Sequence, residues 1–449
     1  MIKLVFRMNK ELLNIVGENN LVDGERVKNF IIDGKAPKYV VFPENINQIS
    51  EIVKFASKEN LKVIPCGNKT KLHIGNIPSK VDLLLSMANM NRIIEFNSDD
   101  LTASCESGIK LLEFNKILSE KNLFLPVDPP FVDNCTIGGI TATDSSGPLR
   151  LKYGKLKDMI MGMKIVLADG SIVKTGVKVV KNSSGYNLSR IYCGSLGTIG
   201  IITEVNFKLS PLPESQKNTL ICFENMENLI NFCYSIRDSF LIPSYMEYLS
   251  PSFTRFLPNK LIDDSCKNYH ICFLGFDGFS ETVDWQLEQV KNISSENNCK
   301  SAYIPCETGD SILYQIRNFY TIFPNSVIFK ISYVIPNFET LLNKIKNLLS
   351  ENKMEIILLS HFGSGIMYLV CPLMDNENEE NKIITFIHNL DEIVFNSDGN
   401  FMIEKIPLKF KEKVSVWGRV NNNLKIVKKI KEQFDPQNIF NPNRFIGRI

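Results

Sequence analysis

Between Pro126 and Gly200 glycine and small polar residues recur at positions that do not simply end regular elements. Three clusters fall in this stretch: Thr136-Ile-Gly-Gly139, Thr143-Asp-Ser-Ser-Gly147 and Gly194-Ser-Leu-Gly-Thr-Ile-Gly200. A fourth, Pro65-Cys-Gly-Asn-Lys-Thr70, lies upstream. Glycine is needed where φ is positive or where another group approaches the backbone closely. Successive free N–H groups in such turns form concavities that hold anions, phosphates above all. One such cluster reads equally well as a tight turn of a β-rich domain, because a lone glycine motif is weak. Four of them constrain the chain much more, and point to a large phosphate-bearing cofactor.

A chain of 449 residues exceeds one ordinary core, so two or three domains are expected. Net charge is +2, with no basic block or basic–aromatic interleaving, so nothing indicates nucleic acid as a partner. No apolar run is long enough to span a bilayer, and the start, MIKLVFRMNKELLNIVGENN, lacks the apolar core and cleavage site of a signal peptide. The 11 cysteines are scattered without a C-x-x-C pair, which reads as buried thiols in a reducing cytoplasm, with no iron–sulfur or other metal site.

Residues 1–36 read as a helical lead-in. From Lys38 the pattern is strand, helix, strand: YVVF, then an amphipathic helix capped by Asn45 or Asn47, then LKVIP running into the first glycine turn. VDLLLS, RIIEF and LTASCESG follow as strands and LLEFNKILSEKN as a helix. MGMKIVLADG, SIVKTG and GIITEVNFKLS add strands, with Asp169-Gly170 a hairpin signal. Pro211 and Pro213 close this region, giving a first domain over 37–213. Over 214–410, NTLICF, HICFLGF, SVIFKISYV and GIMYLVCP read as strands. MENLINFCYSIRDS, ETVDWQLEQVKNI and FETLLNKIKNLLS read as helices, so the region is an α+β cap over an antiparallel sheet. Residues 411–449 form a closing segment.

The series PCGNKT, DPP…TIGGITATDSSG…YG and KNSSGYNL…GSLGTIGIITE resembles the FAD-binding domain of the vanillyl-alcohol oxidase type. Within that superfamily it is most similar to the glycolate oxidase FAD-binding subunits. The likeness is dense from Tyr39 to Pro213 and returns in FDPQNIFNPNRF (434–445). It implies an α+β fold, with a two-subdomain FAD-binding domain and a cap. It implies that Pro65, Cys66, Gly67, Asn68, Lys69 and Thr70 wrap the diphosphate, and that Pro129 lies nearby. Thr136, Gly138 and Gly139, then Thr143, Ser145, Ser146 and Gly147, would follow the ribityl chain and isoalloxazine edge beside Tyr153 and Gly154. A Cβ at Gly139 is expected to collide with the isoalloxazine or force a disfavoured backbone. Gly197, Gly200, Ile201 and Ile202 would line the adenosine end, where Leu196 replaces the family's acidic residue. Asp144 is expected to point away from the flavin or to be paired. Lys69 occupies a position suited to a left-handed backbone that lysine disfavours. Lys181, Gly185 and Tyr186 match a K-N-x-x-G-Y element that is either a packed β-turn or a flavin contact. Lys69 also stands where the superfamily can attach flavin covalently, so the FAD is expected to be non-covalent; His73 is the nearby residue that challenges this.

The resemblance implies oxidation of a small 2-hydroxy acid, with a second flavoprotein and an iron–sulfur subunit as partners. The expected site is cytoplasmic, peripheral to the inner membrane face through those subunits. His361, at the end of an apolar strand, is the expected base, and Arg317 and Lys330 the expected carboxylate partners. The catalytic chains of this kind carry a histidine pair that also holds a metal. This chain's four histidines (His73, His270, His361, His388) include no such pair. A flavin-bearing partner with little activity alone therefore stands as the alternative, and a stand-alone aldonolactone-type oxidase as a weaker third.

Overall fold

The computed structural model describes residues 2–176, 188–258, 260–262, 266–297, 299–304, 306–373, 379–420 and 423–449. Lys181, Gly185 and Tyr186 lie outside the described residues. Packing divides the chain into two units. One comprises Met1–Ser145, Lys155–Leu212 and Val420–Ile449, the other Ser146–Gly154 and Pro213–Arg419.

The first unit begins with β1 (Leu21–Val22), β2 (Tyr39–Val41), β3 (Val63–Cys66) and β4 (Leu83–Ser86), in the order β1-β2-β4-β3. β4 runs parallel to both β2 and β3, which requires a crossover. The helix Ile46–Lys58 supplies it, and the Asn45 side chain caps it by accepting the Gln48 N–H at 3.0 Å. Ile49, Ile52, Val53 and Ala56 share one face at helical spacing and are buried with Leu12 and Val16 of the first helix. Each of the larger ones stabilises by roughly 1.5–3 kcal/mol over an exposed position. The lead-in is thus part of this core.

The second sheet holds β5 (Ile93–Asn97) and β6 (Thr102–Glu106); a short β7 (Leu123–Phe124) follows outside it. β8 (Ile160–Val166), β9 (Ile172–Gly176) and β10 (Ile201–Lys208) complete the antiparallel order β5-β6-β10-β8-β9, and β11 (Ser210–Pro211) pairs with β7. Asp169-Gly170 turns β8 into β9, with Gly170 at φ 82°. The closing segment returns to β3: the Val63 N–H donates to Ile439 and the Asn441 N–H to the Val63 carbonyl, at 2.8 and 2.9 Å. Lys431 secures this turn from inside, donating to Asp435 (2.6 Å), Thr198 (2.7 Å) and Phe440 (2.9 Å). Burial lowers the Lys431 pKa, and those three acceptors satisfy the ammonium.

The second unit is an eight-stranded antiparallel sheet. Its strands are β12 (Ser215–Phe223), β13 (Tyr245–Leu249), β14 (His270–Gly278), β15 (Lys300–Ile304), β16 (Ser326–Ser332), β17 (Ile357–His361), β18 (Ile366–Pro372) and β19 (Asn400–Lys405). Their order is β15-β12-β14-β13-β17-β18-β16-β19. The helices Met226–Asp238, Ser280–Glu296, Phe338–Asn352 and Glu379–Phe395 cover one face. Met246, Tyr248, Phe329, Ile331, Met367 and Leu369 enter that core. Side chains alternate across a strand, so Glu247, Lys330, Tyr368, His361 and Glu404 share the opposite face. β13, β15, β19 and the helix Glu379–Phe395 have no counterpart in the sequence reading. YMEYL is buried at all five positions, so it shows none of the apolar–polar alternation that betrays a half-buried strand.

Candidate functional site

A cleft in the first unit draws together the glycine clusters. Its wall includes every residue of Pro65–Thr70, then Thr136, Gly138, Gly139, Thr143 and Ser145, then Gly197, Gly200, Ile201 and Ile202. Pro130 lines it rather than Pro129. Ser146, Gly147, Tyr153 and Gly154 are absent from this wall. Residues 146–154 pack with the second unit, where the Tyr153 hydroxyl donates to Asp277 at 3.0 Å.

The loop after β3 turns unspent donors toward the cleft. The N–H groups of Gly67, Asn68, Lys69 and Thr70 donate to no group among the described residues. Lys69 adopts the left-handed conformation (φ 61°), at the cost that lysine carries there, and its ammonium sits 4.4 Å from the centroid of the Phe30 ring. Lys71 donates to Ser145 at 2.7 Å. The Ser107 hydroxyl and the Asn441 Oδ1 are buried on this wall with no partner among the described residues, a costly state unless a ligand group meets them.

The second cluster departs from a simple turn. Thr136 caps a helix, Ile137–Thr143, by accepting the Gly139 N–H at 3.2 Å, and the N–H groups of Ile137 and Gly138 are spent on Ile109 and Ser107. The glycines serve close approach. A Cβ on Gly67 would lie 2.0 Å from Thr136 Oγ1, and one on Gly138 2.6 Å from the Ser107 Cβ. Gly139 is different: its φ is ordinary, and outside its own helix the atom among the described residues that its would-be Cβ approaches is Thr136 Oγ1 at 3.0 Å. Asp144 ends this helix in the left-handed region and accepts from the Cys193 thiol at 3.5 Å, away from the cleft wall. His73 is not on the wall either.

The sequence reading gave no site role to the closing FNPNRF. Asn441 and Arg444 both line the cleft. Arg444 is buried and donates to the carbonyls of Leu72 and Ile74, which holds the chain that follows the loop after β3 in shape. Burial lowers its pKa to about 10, so it remains cationic at neutral pH. The arginine inside a turn-rich run was the available signal; its buried position depends on β3 pairing with the chain's end.

The second unit presents a chain of titratable groups on the sheet face opposite its helices. Glu247 and His361 are register partners of β13 and β17, and His361 Nδ1 lies 2.5 Å from Glu247 Oε2 with both groups buried. Burial pushes the Glu247 carboxyl up, and the imidazole opposes that rise. With Nδ1 committed, Nε2 has no hydrogen-bond partner among the described residues. The His361 ring meets Tyr368 edge-on at 5.3 Å. Lys330, paired in register with Tyr368, lies 3.2 Å from Glu404, which also accepts the Tyr320 hydroxyl. Burial lowers the Lys330 pKa, but Tyr368 and Glu404 outweigh it and raise the net value. Arg317 stands apart from this set, its Nε donating to Leu313 of its own helix at 3.4 Å. Among the described residues no group of three His, Cys, Asp or Glu could hold a metal ion, and no helix is long and apolar enough to cross a membrane.

Residues 37–176 match the family model described as FAD binding domain, and residues 212–445 the one described as FAD linked oxidases, C-terminal domain. A glycolate oxidase subunit of Bacillus subtilis is 26% identical over 98% of this chain and 97% of its own length. A mitochondrial D-lactate dehydrogenase (cytochrome) of Arabidopsis thaliana is 26% identical over 91% of this chain and 73% of its own. The solved structure of p-cresol methylhydroxylase with substrate bound superposes at a TM-score of 0.79, with 18% identity over 98% of this chain and 96% of the other. That likeness establishes the fold as α+β of the same type.

Proposed function

This chain belongs to the FAD-linked oxidases, and from that premise we propose that it is the FAD-binding subunit of a complex that oxidises a small 2-hydroxy acid such as glycolate. FAD is its cofactor. The observation that carries the residue-level reading is the cleft with four unspent N–H groups in one loop, closed by the buried Ser107 hydroxyl, Asn441 and Arg444. We assign Gly67–Thr70 to the diphosphate, with Thr136–Thr143 and Gly197–Ile202 lining the remainder. Attachment is non-covalent. The two cysteines on the wall, Cys66 and Cys135, are each pushed up by burial to about 12, so neither offers the thiolate that covalent chemistry needs. Acid precipitation of the yellow protein should therefore release its flavin into the supernatant; colour retained in the pellet refutes this point.

Oxidising a 2-hydroxy acid removes a proton from its hydroxyl and a hydride from its α-carbon. Bound FAD supplies the hydride acceptor. His361 takes the hydroxyl proton at Nε2, while the Glu247 carboxylate at Nδ1 fixes the ring's orientation and tautomer. Lys330, held by Glu404, supplies a fixed positive charge on the same sheet face. A second flavoprotein and an iron–sulfur subunit complete the complex in this reading.

The single histidine on that face favours one other reading, a flavin-bearing subunit that is nearly inactive by itself. The assay is dye reduction driven by glycolate and D-lactate, with the chain alone and with its co-purified partners. Turnover in either setting supports oxidation of 2-hydroxy acids, and turnover only with partners selects the second reading. A flavin that no 2-hydroxy acid reduces in either setting rejects both.

A further inference from the structure

A 2-hydroxy acid brings a carboxylate that must be met by a cation, and the cations on the polar sheet face are not equivalent. Arg317 is turned onto its own helix, and Lys330 is already matched by Glu404. A third cation, Arg150, opens the short helical turn Arg150–Tyr153.

That turn is fastened to the second unit by its other three side chains. It packs against β13 and the Phe362–Ser364 turn that follows His361. Gly363 lacks a Cβ where Leu151 lies; one built there would sit 2.6 Å from Leu151 Cδ2. Lys152 donates both to the Asp277 carbonyl at 2.6 Å and to its carboxylate, and Tyr153 donates to the same carboxylate at 3.0 Å. Arg150 is left over. It is half-buried and has no ion pair, side-chain hydrogen bond or ring contact among the described residues. A half-buried guanidinium on an anchored turn, without a counter-ion among the described residues, is a binding group for an anion.

Charge agrees. Arg150 is near enough to oppose the charge on Lys330, so the two cations act on one region. Glu404 is matched to Lys330, Asp277 to Lys152 and Glu247 to His361, and the Tyr320 and Tyr368 hydroxyls stay neutral because burial raises both. The planar fork of arginine also fits a carboxylate with two parallel hydrogen bonds, which an ammonium does not.

We propose that Arg150 binds the carboxylate of the substrate, in the position that the sequence assigns to Arg317, with the Lys330–Glu404 pair beside it setting the charge. The proposal rests on the reading of this chain as a 2-hydroxy-acid oxidoreductase. The test uses the FAD-loaded full chain, with any co-purifying subunits, and oxalate as a probe that cannot be oxidised. Oxalate binding is measured by equilibrium dialysis, and KM and kcat by dye reduction. Arg150→Gln should weaken oxalate about 30- to 100-fold, the scale of a lost charge-assisted bidentate contact, and raise KM more than it lowers kcat. FAD content and melting temperature should not move, because Arg150 supports no other side chain. Arg150→Lys, which keeps charge but loses the fork, should weaken oxalate roughly tenfold. Wild-type oxalate affinity in Arg150→Gln overturns the proposal; should that variant not fold, unchanged affinity in Arg150→Lys overturns it instead. A wild-type protein that neither binds oxalate nor oxidises any 2-hydroxy acid overturns the functional reading itself, and the proposal with it.

Discussion

Gly139→Val should yield a folded, colourless protein. Gly139 lies inside the helix Ile137–Thr143 at ordinary φ, so the backbone strain expected from sequence does not arise. Valine is if anything slightly better than glycine in a helix interior. The protein atom that its Cβ approaches is Thr136 Oγ1 at 3.0 Å, which can yield by a few tenths of an ångström. The remaining volume of the side chain goes into the cleft. Overfilling a fitted site by that much costs about 3 kcal/mol or more, roughly a 100-fold loss of affinity. Flavin content after gel filtration should fall close to zero while the far-ultraviolet circular dichroism spectrum stays unchanged. Gly67→Ala makes the contrast: its Cβ would lie 2.0 Å from Thr136 Oγ1, so that variant should lower the melting temperature of the FAD-free protein as well. A Gly139→Val protein that keeps wild-type FAD means the isoalloxazine lies elsewhere.

Replacing His361 by alanine should lower kcat in the complete complex by about 10²–10⁴-fold, the range for losing a positioned general base. The variant should still fold. Glu247 would be left buried, but losing His361 removes the influence that opposes the rise of its carboxyl, and burial then favours the neutral, protonated form. Glu247→Gln is the informative companion. It keeps a polar group 2.5 Å from Nδ1 but removes the negative charge that steadies a protonated imidazole. The loss in kcat should be smaller than in His361→Ala, with KM nearly unchanged and the acid limb of the pH–rate profile displaced. Full turnover in His361→Ala would remove the base assignment and favour the partner-subunit reading.

The features read from sequence alone were those whose cause is local. Periodic apolar residues with an asparagine cap identify the 46–58 helix, because helix geometry puts those positions on one face whatever surrounds them. Asp169-Gly170 marks a hairpin because the positive φ is demanded by the turn itself. The glycine clusters mark a cofactor cleft because close approach excludes a Cβ. The reason for each exclusion, however, is a distant partner, such as Ser107 for Gly138. A single cluster such as TIGGITAT reads equally well as a tight turn, and the structure makes it a helix although glycine is a poor helix former.

What only the tertiary structure decided are the groups that meet across long stretches of chain. Glu247 reaches His361 through the register of β13 and β17, 114 residues apart, and nothing within YMEYL announces a strand carrying a carboxylate. Arg444 reaches the carbonyl of Leu72 across 372 residues, because the closing segment pairs with β3. The turn around Arg150 follows the glycine-rich run directly and reads as part of the cofactor loop, but Asp277 and Gly363 hold it on the other unit. Local spacing determines helices, strands and turns. Which charges share a buried face depends on sheet order and register, and these are set by the burial of whole surfaces that no short stretch of sequence contains.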